Sequence, residues 1–388
     1  MVVEIGSEIR IRDASKELYD WAQENLIIPN PQYRERERRG LWVGNTPKYL
    51  WLYHVDGSDL IVPTGVGKQV RQFLSEKDQI YVHLADNGLL DYKGTIPLYD
   101  YQKEAVEVMQ RTSCGILQSP CGSGKTQMGI ALAAELGRKV LWVTHTQDLL
   151  IQSKTRAEQY FSSETLGTIT AGKAQVGSHI TFATVQTLCK MDLEQFRYTW
   201  DVVIVDECHR LAGSPTQVTM FYKVMNSLAA RHKYGLSATV HRSDGMIKST
   251  FAVLGPVIYK VPDEAVADKT MQVRILQRNT DITVSRSCLD TDGTLDYNEL
   301  LSYLGGNRER NEMIVKDLVS QKGHSCLILA SRLEQLRNIR DLLPDELRSV
   351  SAMIDGSMTS KKGKSERETA IEDMRTGRKK ILFASFGL

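Results

Sequence analysis

The sequence predicts an α/β fold: two doubly wound parallel-sheet domains, the second incomplete, preceded by a small α+β N-terminal domain. Three observations lead there. Between residues 96 and 262, short apolar runs recur with helical patterns between them: Gly115–Gln118, Val140–Thr144, Ile180–Ala183, Val202–Val205 and Tyr234–Leu236. Runs of this length suit parallel strands buried on both faces and joined by crossover helices. The same rhythm restarts at about residue 306, whereas residues 1–95 mix charge, aromatics and turn signals.

Taken in order, residues 1–95 form an accessory domain. Arg34–Arg39 (RERERR) is a charge run expected as a charged helix or loop, and Gly44-Asn45-Thr46-Pro47 and Asp56-Gly57 mark turns. Tyr49–Val55 and Leu60–Val62 read as short strands, a hairpin joined at Asp56–Ser58. Residues 96–262 are the first α/β domain, and 263–305 an interdomain connection with a β-like stretch at Ile275–Ser285. Residues 306–388 are a partial second domain. A helix (Glu309–Ser320) leads to a strand (Cys326–Ala330), a helix (Leu333–Leu342), a strand near Val350–Ile354, a basic helix and a last strand (Lys380–Ala384). A strand so close to a terminus is unusual in a doubly wound sheet, and suggests either a truncated chain or an incomplete second domain.

Composition narrows the class. At 388 residues the chain exceeds one ordinary domain. Hydrophobic content of 41% and charged content of 25% belong to an ordinary globular protein. The net charge is only +2, so any contact with a polyanion must come from local patches. No stretch approaches the ~18 apolar residues of a membrane span, and the acidic start is no signal peptide. The six cysteines contain no C-x-x-C pair, as expected of reduced thiols in the cytoplasm.

Two segments carry chemistry. Ser119-Pro120-Cys121-Gly122-Ser123-Gly124-Lys125-Thr126 follows a strand and opens a helix (Thr126–Leu136), the context in which a Gly-rich turn wraps phosphates. Glycines let backbone N–H groups converge, and the helix N-terminus adds partial positive charge. Lys125 would reach the β- and γ-phosphates of ATP, and the Thr126 hydroxyl would ligate Mg²⁺. The first glycine of the usual pattern is Ser119 here. Asp201–His209 (DVVIVDECH) is an apolar strand ending in two carboxylates. Asp206 would hold the magnesium ion and Glu207 would act on the attacking water. His209 and Ser237-Ala238-Thr239, at another strand end, are candidates for coupling the nucleotide site to the next motif.

In this order the segments resemble those of superfamily 2 helicases with a DExH box, over roughly residues 96–388. The resemblance implies RecA-like domains and an ATP-driven motor. Tyr99-Asp100-Tyr101-Gln102 looks like the family's glutamine motif, in which Gln102 would read the adenine. Thr144–Gln152, including Thr144, His145, Thr146 and Gln152, resembles the motif that touches the phosphodiester backbone. Thr170-Ala171-Gly172 and Ala183–Thr187, with Gly172, Thr184 and Gln186, look like further strand-tracking motifs. Arg242-Ser243-Asp244-Gly245 resembles the R-x-D-G of the XPB-like and type III restriction branch. Ser331, Arg332 and Gly356 occupy the places of the second domain's first nucleic-acid contacts. The later motif Q-x-x-G-R-x-x-R, whose arginine completes the ATP site, is absent, which implies a chain that binds ATP but hydrolyses it poorly.

The N-terminal stretch resembles the front module of phage and mobile-element XPB-like helicases, the UvsW-type branch-migration enzymes, in Asn30–Tyr33, Arg34–Arg39, Asn45–Pro47 and the hydrophobic run to Val62. The resemblance implies duplex, forked or branched DNA as partner, with recombination or replication proteins possible and RNA less favoured. It also implies a host-cytoplasmic location for a phage-encoded chain. The alternatives are the motor subunit of a type III-like restriction system, an RNA helicase, or a nucleotide-gated DNA-binding module without turnover. The alternative for this module is a capping domain that only stabilises the motor. Lys361–Lys364 and Arg375–Lys380 are either a cationic supplement for nucleic acid or a solvated helix face. Cys288–Glu299 nearly matches a calcium-binding loop, with Asp290, Asp292, Gly293, Asp296 and Glu299 in register. It lacks the first aspartate, and the incoming segment is β-like where such a loop needs a helix.

Overall fold

The computed structural model describes residues 1–211, 219–242, 244–268, 273–290, 293–358 and 360–386. Ser243 of the R-x-D-G segment, Asp292 of the acidic loop and the side chains of Lys361 and Lys364 lie outside the described residues. The chain forms two compact units, Met1–Val273 and Arg274–Leu388.

The first unit begins with strands β1 (Val2–Ile5), β2 (Glu8–Arg12), β3 (Ile27–Pro29), β4 (Tyr49–Trp51), β5 (His54–Asp56), β6 (Asp59–Pro63) and β7 (Gln79–Val82). Five of them form a sheet in the order β5-β6-β2-β1-β7, and β3 pairs with β4. The expected hairpin is present as β5 and β6, closed at Gly57-Ser58 with Asp56 opposite Asp59. The run Tyr49–Val55 divides instead of forming one strand: its first half pairs with β3 and its second with β6. Helix Lys16–Asn25 starts where the Ser15 hydroxyl accepts the Leu18 N–H, and it buries Leu18 and Ala22. The RERERR run is helical: Pro31–Arg38 follows the Asn30 cap and buries no residue.

An eight-stranded sheet follows, built of β8 (Cys114–Gln118), β9 (Val140–Thr144), β10 (Leu166–Thr170), β11 (Lys173–Gln175), β12 (Ile180–Thr184), β13 (Val202–Asp206), β14 (His232–Ser237) and β15 (Val257–Lys260). Its order is β11-β10-β12-β9-β13-β14-β8-β15, parallel throughout except at β10–β11. Every residue of β9, β12 and β13 is buried, which is why these strands read as unbroken apolar runs. Ala171 and Gly172 close the β10–β11 hairpin at φ +50° and +77°, the two-residue turn that matches strand twist.

Lys233 on β14 ties the two sheets of this unit together. It is 2% exposed, and its ammonium donates to the carbonyls of Ser7 (3.0 Å) and Met225 (2.9 Å). Burial pulls its pKa down to about 8, against the favourable charge of Glu8.

The second unit holds a parallel sheet, β16 (Cys326–Ala330), β18 (Ile381–Ser385) and β17 (Ser351–Ile354), in that spatial order among the described residues. Leu336, Ile339, Ile381 and Phe383 form its core. The β-like stretch at Ile275–Ser285 has no strand partner among the described residues and is not a strand, since alternation alone cannot close a ladder. In the acidic loop, Asp296 caps helix Tyr297–Gly306 by accepting the N–H groups of Asn298 and Glu299. On the basic helix Lys361–Arg375 and just beyond it, Arg375 pairs with Glu372 (3.3 Å) and Arg378 with Asp373 (2.6 Å).

Helix Lys125–Leu136 is seated on the sheet through Gly129, where an added Cβ would lie 2.6 Å from the Trp142 ring. Gly129→Ala therefore sets a helix-propensity gain of up to about 1 kcal/mol against an overpacking cost of about 1–3 kcal/mol. The expected outcome is net destabilisation, seen as a lower urea midpoint; an unchanged or raised midpoint would show that the contact yields.

Candidate active site

The parallel strands all point their carboxyl ends the same way, so one sheet edge collects Thr184, Thr144, Asp206, Ser237 and Ser119 from five neighbouring strands. Ligands of open α/β sheets bind at this edge.

The phosphate loop is held open by its own polar groups. Gly122 and Gly124 take φ +79° and +85°, a backbone that side chains disfavour. The Ser119 and Ser123 hydroxyls bond each other, and Ser123 also donates to the Pro120 carbonyl at 2.6 Å. Lys125 Nζ lies 3.4 Å from the Ser119 carbonyl, across the mouth of the loop. The Ser123 carbonyl accepts from Tyr101 (2.9 Å) and from the Gln102 amide (2.8 Å). Gln102 Oε1 in turn accepts the Tyr99 N–H at 2.9 Å, so both ends of this buried amide are engaged within the protein. A cavity of about 440 Å³ adjoins the loop, lined by Tyr99, Tyr101, Gln102, Gly124, Gln127 and Arg156. Cys121 is exposed beside it.

Asp206 ends β13 and is 5% exposed. Burial, and then the Glu207 charge, push its pKa up to about 6, although the Glu207 N–H, Lys125 and the Ser153 hydroxyl all favour its charged form. Glu207 adopts the left-handed conformation at φ +50°, one of the few non-glycine residues to do so. Such a backbone costs roughly 1–3 kcal/mol and clusters at functional sites. The bend turns Glu207 away from the strand line and toward His209, whose Nδ1 lies 3.3 Å from the carboxylate and 3.0 Å from Ser237 Oγ. Ser237 Oγ also donates to the Thr239 carbonyl, while the Ser237 main-chain carbonyl accepts the Ser119 N–H at 2.9 Å. Loop, acidic box and S-A-T segment are thus one hydrogen-bonded assembly.

The sequence-predicted nucleic-acid residues divide into exposed and engaged groups. Thr144 is fully buried and donates to the Thr146 carbonyl, and Thr146 caps helix Gln147–Ala157. Gln186 donates to the His145 carbonyl at 2.6 Å, joining two of the segments, and Thr184 bonds Thr187. Gln152 and Gly172 are exposed. Arg242 is occupied internally, donating to the His209 carbonyl (2.6 Å) and both oxygens of Asp244. In the second unit Arg332 bonds Asn298, Ser331 is exposed, and Gly356 sits in a turn where Asp355 accepts the Ser357 N–H at 2.7 Å. Sequence reading missed Ser153, which reaches Asp206, and Arg156, which lines the cavity. Both lie one turn apart on the helix after Thr146, but a lone Ser or Arg on a surface helix carries no signal of its own.

The Asp206 carboxyl is a stability liability with a defined pH window. Its folded pKa of about 6 exceeds the ordinary 3.8, so between these values the folded chain binds more protons than the unfolded one. Stability contributed by this group falls as pH rises through that window. Asp206→Asn should therefore stabilise the fold at pH 7–8 by on the order of 1–3 kcal/mol, with the gain shrinking toward pH 4. Denaturant titrations at both ends of the range check this; a gain that ignores pH would assign the effect elsewhere.

Comparison with known proteins agrees with this geometry. Residues 95–242 match the family described as type III restriction enzyme, res subunit. The chain is 25% identical over 357 residues to the DNA 3'-5' translocase XPB2 of Sulfurisphaera tokodaii, covering 82% of this chain and 77% of that protein. It is 23% identical over 302 residues to the DNA 3'-5' helicase XPB of Mycobacterium tuberculosis, covering 74% of this chain but about half (51%) of the relative. The crystal structure of T4 UvsW superposes with a TM-score of 0.49 at 20% identity, covering all of this chain and 80% of the other. A phosphate loop and an acidic strand at one sheet edge would suit many nucleotide hydrolases. The order DECH, S-A-T, R-x-D-G on successive elements, in a sequence aligned with XPB proteins over most of its length, narrows the likeness: the chain is similar to superfamily 2 helicases of the XPB type.

Proposed function

We propose that the chain is an ATP-driven motor on duplex DNA, acting on forked or branched substrates in recombination, replication or repair. The observation that carries the reading is the shared edge at which Lys125, Asp206, Glu207 and His209 are joined through Ser237 to the S-A-T segment. In this reading the loop Pro120–Thr126 cradles the triphosphate with backbone N–H groups, and Lys125 sits at the β- and γ-phosphates. The Thr126 hydroxyl and the Asp206 carboxylate supply the hard oxygen donors that suit Mg²⁺, and a buried carboxyl held up to about 6 is a group that a cation would relieve. Bound there, the ion would neutralise charge on the transferring phosphoryl group. Glu207 orients the attacking water, and its contact with His209 reports its position to Ser237 and Thr239. Exposed Thr146 and Gly172, in turns, and Gln152 and Gln186, on the helices Gln147–Ala157 and Val185–Leu188, offer polar groups that suit phosphate oxygens without reading bases. Similarity to the restriction-enzyme family over residues 95–242 favours translocation along duplex DNA as the shared activity, with a partner chain supplying any nuclease.

Two variants separate fuel from movement. Glu207→Gln should keep ATP binding while lowering DNA-stimulated phosphate release by about 10²–10⁴-fold, and Lys125→Ala should weaken binding itself. Retention of turnover in Glu207→Gln would remove this residue from the chemistry. Ser237→Ala breaks the His209 contact without touching the phosphates, and should spare hydrolysis while reducing strand displacement on forked DNA. The substrate class is decided by comparing forked DNA, a four-way junction and an RNA duplex; displacement of RNA alone would overturn the choice of DNA.

A further inference from the structure

We propose that the open edge of β7, with the cationic cavity beside it, is a docking site for an extended acidic peptide that inserts an apolar side chain. Strand β7 lies at the end of its sheet. Proteins ordinarily blunt such edges with charges, proline or a covering element. Here the strand reads Gln79-Ile80-Tyr81-Val82, and its three apolar residues are 38%, 48% and 56% exposed. Gln79 donates its N–H to the carbonyl of Met1, just before β1, and His83 to the carbonyl of Ile5 at its end. By the alternation of a parallel ladder, the main-chain groups of Ile80 and Val82 face away from the sheet. They offer the hydrogen bonds of strand addition.

The cavity supplies the specificity. It holds about 460 Å³, with Ile5 and Val82 in its wall, which is room for one or two side chains. Four cations line it, Lys68, Arg71, Arg231 and Lys233, and no carboxylate does. Lys68 and Arg71 have no ion pair among the described residues, and Arg231 reaches only Asp86 at 3.3 Å. The Arg231 Nε is buried without a hydrogen-bond partner. An isolated apolar ligand would leave Lys68 and Arg71 unmatched, and a nucleic-acid phosphate would leave the apolar wall uncovered. A β-strand peptide with acidic and apolar residues two positions apart satisfies both, because residues i and i+2 leave a strand on the same face and so enter the same cavity.

The probes are fluorescein-labelled peptides of roughly eight residues, a length that spans such an edge. One repeats Glu-Ser-Val-Ser, which puts Glu and Val on one face, one repeats Lys-Ser-Val-Ser, and one has the first composition rearranged so that Glu and Val fall on opposite faces. Fluorescence anisotropy on the full chain should show the Glu-Ser-Val-Ser peptide binding at least ~10-fold tighter than either control, with slowed amide exchange at Ile80 and Val82. Lys68→Glu/Arg71→Glu and, separately, Val82→Glu should each abolish that preference while leaving ATP turnover and circular dichroism unchanged. Equal binding of all three peptides, or binding that survives both variants, overturns the proposal. So does displacement of the acidic peptide by duplex DNA, which would make the surface a nucleic-acid contact. Self-association of the chain without peptide, lost in Val82→Glu, would assign the edge to a second copy.

Discussion

Strand β13 is buried on both faces, yet it ends in a carboxylate, and that constraint organises the site. A sheet packed by helices on both sides has little tolerance for charge except at the strand ends, where the loops turn and helix N-termini converge. Asp206 is placed at that limit, with its carboxyl held up to about 6 by burial and by the neighbouring Glu207. Three groups counter the cost: the Glu207 N–H, the Lys125 charge and the Ser153 hydroxyl. They come from three different elements, so the position of the phosphate-loop helix, of β13 and of the helix after Thr146 are fixed against one another by a single ionisable group.

Ser237 extends that dependence across the sheet. Its main-chain carbonyl holds the first residue of the phosphate loop, and its hydroxyl meets His209 while donating to Thr239. One residue at the end of β14 therefore senses both the loop to one side and the acidic box to the other. The parallel register makes this possible, because β14 runs between β13 and β8 and ends level with both. Continuity of contact is not itself a coupling energy. It is the arrangement in which a change at the triphosphate would have to move the S-A-T segment or break a buried hydrogen bond.

Much of this architecture was legible from sequence because its signals are local. A strand buried on both faces must be a short apolar run, and a phosphate loop must place glycines where the backbone turns left-handed, as Gly122 and Gly124 do. The N-terminal sheet was less legible. Strands β1, β2 and β7 are edge-like or amphipathic, and β7 joins β1 across most of that domain, a pairing that no local pattern announces. Arg242 was read as a nucleic-acid contact, whereas its guanidinium lies against the His209 carbonyl and Asp244. An arginine in a glycine-containing loop looks the same in either role until its partners are seen. Gln102 is similar, since its amide braces the loop through Ser123 while also closing its own helix N-terminus.

The Arg242 contacts give the R-x-D-G segment a structural meaning. Arg242 is anchored to the acidic box, Asp244 holds both that guanidinium and the Met246 N–H, and Met246 is packed in the core of the N-terminal sheet together with Ala252. Gly65 meets the same region so closely that an added Cβ would lie 2.3 Å from the Gly255 nitrogen. The core of the N-terminal sheet is built mainly from its own residues between Val3 and Val70 and is completed by Met246 and by Ala252 of the helix Ile247–Leu254, which follows the S-A-T segment. Buried Lys233 adds a second tie from β14 to the Ser7 carbonyl. Since a packed core transmits displacement and does not absorb it, movement of the S-A-T and R-x-D-G segments relative to the acidic box would carry the N-terminal sheet with it.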